Sequence, residues 1–260
     1  LDPTSVGWLS VDPLFEKYVG MSPYNYCAGN PVKLVDTDGR ENVPALIWAI
    51  RNMANKGIIS NYNNPYFGGY DNRWIYKIGD IPDRTVCYES CFMAYMNSGK
   101  EVVSILRSGF TTNNNAFLGR STKRGGINWF KNGNNNNLSG RKFEENIAMG
   151  QLGDIVFMGE SGDMLGHAVL LASDVSLSTI EKNGKSVNIA SFYALSTSSD
   201  TDPGSYGGRL FTFEQNESGK WLLNNESEYE FRGYGQLTKV KVSEQQRNEV
   251  LELISKLQKE

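Results

Sequence analysis

The spacing of apolar positions changes once along this chain, near residue 152. Before that point it is helical. In VPALIWAIRNMANKG (residues 43–57), Ala45, Ile47, Trp48, Ile50 and Met53 predict a helix that stops at Gly57. In TVCYESCFMAYMNSG (residues 85–99), Tyr88, Cys91, Phe92, Tyr95 and Met96 fall at i, i+3, i+4, i+7 and i+8, the apolar face of a second helix. A third follows at about 100–108. Residues 60–72 carry Asn, Tyr, Gly and Pro and read as loop. Residues 111–140, dense in Asn and Gly, predict a long polar loop.

From 152 onward the apolar runs are short, β-prone and divided by turns: LGDIVFM, GHAVLLAS, SVNIASFYALS, GRLFTFE, KWLLNN and LTKVKV. They predict an antiparallel sheet of about five or six strands. The chain closes on a helix, with Ser243 and Gln246 as a capping box and Val250, Leu253, Ile254 and Leu257 as its apolar stripe. Helices followed by a sheet define an α+β class. The segment before residue 42 is different again, a run of turns with Pro13, Pro23 and Pro31 among aromatic anchors.

Composition narrows the function. At 260 residues and 39% hydrophobic, the chain can bury a large core. A net charge of −3 offers no basic surface for phosphates, which argues against a nucleic-acid partner. No apolar run is long enough to span a bilayer. The three cysteines do not suggest a disulfide framework, and a single histidine with scattered cysteines argues against zinc. No cofactor is implied.

The chemistry that remains is nucleophilic. Cys91 lies in the middle of an apolar stripe and reads as core. Cys87 falls in the first helical turn, where unpaired amides and the positive end of the helix dipole favour a thiolate and can hold an oxyanion. A thiol nucleophile needs a base, and His167 is the only histidine. It opens the apolar strand AVLLA directly after Gly166, a residue that lets another segment approach closely.

Two resemblances add to this. The pattern DPL–EKY–SPYNYC–NPV–D–DGR over residues 2–41 resembles the end of an RHS repeat-associated core, with Thr37 where that family usually has proline. In such proteins the core's end is followed by a variable effector domain, which implies that the activity lies after residue 41. The pair Gly153-Asp154-Ile155-Val156-Phe157 and Gly166-His167-Ala168-Val169 resembles the strand pair of papain-like cysteine hydrolases, including NlpC-type and CHAP cell-wall peptidases. CYESCFMAYMNSGK resembles their nucleophile helix, with Cys87 at the nucleophile position. The glutamine that many papain-like proteases carry before the cysteine is missing from YKIGDIPDRTV. The cell-wall branch does not need it.

This second resemblance implies a papain-like fold over residues 42–260, with Cys87 as nucleophile and His167 as base. The third residue, which orients the histidine, would come from Asn188, Ser196, Asp200 or Asp202, with Asp200 preferred. The implied substrate is a peptidoglycan peptide amide, with a protein substrate second. The setting is a secreted or cell-surface bacterial toxin with an immunity protein as a further partner. The competing class is a secreted binding module of the same fold without activity.

Overall fold

The computed structural model describes residues 41–61, 64–67, 76–108, 126–136, 138–159, 166–197, 204–223 and 226–259. The chain divides into two units, Leu1–Gly39 and Arg40–Glu260, and every described residue belongs to the second. The RHS-like segment at 2–41 therefore lies almost wholly outside the described residues.

The second unit is mixed α and β. In chain order the described elements are α1 (Val43–Asn52), β1 (Ile59–Ser60), β2 (Arg84–Thr85), α2 (Cys87–Met96), α3 (Lys100–Ser108), α4 (Gly126–Asn134) and β3 (Arg141–Glu144). There follow a 3-10 turn (Ile147–Met149), β4 (Ile155–Gly159), β5 (His167–Leu171), β6 (Ser176–Lys182), β7 (Lys185–Thr197), β8 (Gly204–Gln215), β9 (Trp221–Leu223), β10 (Glu226–Leu237) and α5 (Glu244–Leu257).

The sheet is larger than the sequence predicts. It has ten strands, all antiparallel except for the short β1–β2 pair. The order β8–β9–β10–β4–β5–β7 is joined at its ends, because β7 also pairs with β8 from Ile189↔Glu214 to Thr197↔Tyr206. Six strands thus close into a barrel, which leaves no edge within the ring. The added strands come from segments whose pairing is set by distant partners. Residues 226–237 form β10, which pairs with β4, β9 and β3. The run LTKVKV contributes only Leu237 to a strand, and Val240 is instead a buried anchor in the loop beyond it.

Strand alternation then separates two cores. Val156, Met158, Val169, Leu171, Phe192, Ala194, Phe211, Phe213, Phe231 and Tyr234 fill the barrel. Ile155, Phe157, Ala168, Leu170 and Leu195, from the alternate positions, face outward into a second core with the helices. There α2 packs on β5 and β7, and α1 packs on α2 and α5.

Two local expectations change. First, α2 is buried on nearly every side, Glu89 and Ser90 included, rather than along one stripe. Second, residues 126–134 of the Asn-rich stretch are helical. Ile127, Trp129 and Phe130 are buried there, and the Phe130 ring lies where a side chain at Gly235 would be. Burial of two large aromatics outweighs the low helix propensity of Gly and Asn. The first helix ends at Asn52, short of Gly57, and Ser243 and Gln246 form the expected reciprocal cap of α5.

Candidate functional site

Cys87 is the first residue of α2. Its helix start is fixed from the side. Glu89, with no exposed surface, accepts from Val86 N at 3.2 Å, closing half of a capping box. The same carboxylate accepts from Tyr66 N at 3.0 Å and Phe67 N at 2.9 Å, which ties the 64–67 segment to the head of the helix. Burial pushes the Glu89 carboxyl above its ordinary value, and the three N–H donors oppose the shift. The helix's first internal bond runs from Ser90 N to Val86 O at 3.0 Å, so the amides of Cys87, Tyr88 and Glu89 precede it.

Both cysteines are buried. Cys91 has no exposed surface, and burial pushes its thiol well up, with Cys87 adding to the shift. A thiol so disposed is inert. Cys87, one turn nearer the helix start, is 6% exposed and lies outside both apolar clusters.

His167 opens β5 at the rim of the barrel. Gly166 before it admits the Tyr229 ring, which a Cβ at this position would meet at 2.6 Å. By alternation His167 shares the barrel-facing side with Val169 and Leu171, and it pairs across the ladder with Met158. Its ring is 6.5 Å from that of Phe211, and its Nε2 is 2.7 Å from the Ser196 hydroxyl. Ser196 is 1% exposed and continues the inward series Ala190, Phe192, Ala194 on β7.

The helix and the strand run side by side in the same direction. At the far end, the Tyr95 hydroxyl donates to Gly153 O at 2.8 Å, and Gly153 N donates to Leu171 O at 2.9 Å. Towards the near end, Ser90 and Cys91 adjoin Tyr206, whose partner in the sheet is Thr197. From Tyr95 back to Cys87 is about 12 Å of helix, and from Leu171 back to His167 about 14 Å of strand. Cys87 and His167 therefore reach the same end of this packed pair. They approach it from different sides of the barrel wall, the thiol from the helix layer and the imidazole from the mouth.

Of the four candidates for the orienting residue, Ser196 meets the imidazole. Asn188 lies far down the β6–β7 ladder, bonded to Thr179 and Gln215. Asp200 and Asp202 lie outside the described residues. The alternation of small and aromatic residues along β7 carried the signal for Ser196, since it puts positions 190 to 196 in one inward row.

Asp154, of the GDIVF run, acts as a staple. Its Oδ2 accepts from Gln151 N at 2.8 Å and Gln236 Nε2 at 2.6 Å, and burial pushes its carboxyl well above the usual range. Gly153 beside it has φ +84 and backs directly onto Asn42, so its backbone conformation and the close contact both require glycine. Among the described residues no cluster of three metal-ligating side chains occurs, and no helix is long and apolar enough to cross a membrane. Comparison with family models, curated proteins and solved structures returns no match.

Proposed function

We propose that residues 42–260 form a papain-like cysteine hydrolase of amide bonds, with Cys87 as nucleophile and His167 as base. The observation that carries this reading is the shared end of α2 and β5. A helix-initial thiol and the chain's only imidazole lie towards the same end of a packed helix and strand, the thiol in the helix layer and the imidazole on the barrel-facing side.

In the proposed reaction His167 takes the thiol proton as the sulfur attacks the amide carbonyl. Amides of the first turn of α2 hold the oxyanion. His167 returns the proton to the leaving amine, and water then attacks the thioester with the same imidazole as base. The burial of Cys91 supports Cys87 as the nucleophile of the two.

The substrate proposed first is a peptidoglycan peptide, and a protein comes second. This follows from the RHS-like segment ahead of the domain and from the absence of the protease-type glutamine. The same resemblance makes the chain a secreted or surface effector with an immunity partner.

The test is digestion of purified peptidoglycan and of an unfolded protein by the wild type and by Cys87→Ala. Release of soluble peptide fragments by the wild type alone supports the proposal. Equal release by Cys87→Ala, or none from either substrate by the wild type, rejects it.

A further inference from the structure

A serine hydroxyl has one proton to donate and lone pairs to accept with. At Ser196 both capacities are engaged. Its Oγ donates to Thr197 O at 2.9 Å and stands 2.7 Å from His167 Nε2. With its proton committed to the carbonyl, the oxygen accepts from the ring, so Nε2 carries hydrogen and Nδ1 holds the lone pair. We propose that Ser196 is the positioning residue of His167, fixing the neutral imidazole with Nδ1 as its basic nitrogen.

The surroundings of the ring agree with this assignment. Met158 of β4 lies opposite in the ladder and offers no charge. Tyr229 of β10 packs beside Gly166, and Phe211 of β8 flanks the ring itself. Arg209 stands between Gly207 and Phe211 on β8, in the row that faces the barrel. Of the ionisable groups of α2, Tyr88, Cys91 and Tyr95 pack in the helix-side core and Glu89 is bonded to the 64–67 segment. The ring is thus oriented by a hydroxyl and flanked by an aromatic ring. The catalytic consequence rests on the hydrolase reading, whereas the assignment of the ring proton does not.

Because the chain has one histidine, its ring gives a single set of nitrogen signals. A two-bond proton–nitrogen correlation spectrum of 15N-labelled protein, at a pH where the ring is neutral, reads the protonated nitrogen directly. The wild type is expected to show the Nε2–H pattern. Ser196→Ala is expected to mix the two forms, and Ser196→Thr, which keeps the hydroxyl, to restore the wild-type pattern. In the hydrolysis assay, loss of this one hydrogen bond should lower kcat about tenfold with KM little changed. An Nδ1–H pattern in the wild type, or a spectrum unmoved by Ser196→Ala, overturns the proposal. The spectrum needs no substrate, so an inactive wild type would remove the hydrolase reading and leave this assignment to stand or fall alone.

Discussion

Cys87 and Cys91 are one helical turn apart, and Cys87 keeps 6% exposure where Cys91 has none. Cys91 fills core space between α2 and the outer face of the barrel, and a thiolate there would have no solvent. Replacing it with alanine is expected to cost about 1 kcal/mol in stability and to leave hydrolysis intact, as measured by urea unfolding and peptide release. Cys87→Ala is expected to do the reverse. Glu89 is the less obvious residue of this region. Its carboxylate satisfies three backbone donors from two segments, and an amide side chain cannot accept at both positions. Glu89→Gln is therefore expected to destabilise by about 1–3 kcal/mol and to loosen the 64–67 segment, with faster amide exchange at Tyr66 and Phe67 as the readout.

At the scale of elements, the site depends on where β5 begins. Gly166 leaves room for the Tyr229 ring, and a methyl group at that position would push either the ring or the strand end. Gly166→Ala is expected to shift the His167 ring signals and to reduce hydrolysis, while the melting temperature falls by only a few degrees. A variant with unchanged ring signals and full activity would show that the rim tolerates displacement.

Periodicity alone located α2, the strands β4 and β5 and the cap of α5, because each is encoded within its own segment. The helix at 126–134 escaped detection because its stability comes from Trp129 and Phe130 seated against distant strands. Asp200, the preferred orienting residue, lies outside the described residues. That Ser196 meets the ring is set by the register of β7 against β5, where Leu170 faces Leu195, which no local pattern encodes.

The described residues of the second unit form two cores that share one barrel wall. Closure of the ring through β7–β8 joins segments that no local pattern connects, which is why the sequence predicts only an antiparallel sheet of about five or six strands. One buried carboxyl links the wall to the turn before it. The folded value of Asp154 lies above its ordinary 3.8, so folding favours the protonated form. Its contribution to stability is fully present below pH 3.8 and is lost as the pH rises through the folded value. Asp154→Asn keeps an acceptor for Gln151 N and Gln236 Nε2 and removes the charge. It is expected to flatten the decline of unfolding free energy with rising pH, measured by urea titration at a series of pH values. A slope equal to that of the wild type would place the titrating group elsewhere.

The central claim is that the sole imidazole activates the thiol at the start of α2. Alkylation by iodoacetamide near neutral pH, followed residue by residue by peptide mass mapping in the wild type and in His167→Asn, addresses it most directly. The account predicts rapid labelling of Cys87 in the wild type, slow labelling of Cys91, and at least a tenfold loss of the Cys87 rate in His167→Asn. Equal rates at Cys87 with and without the imidazole would contradict it.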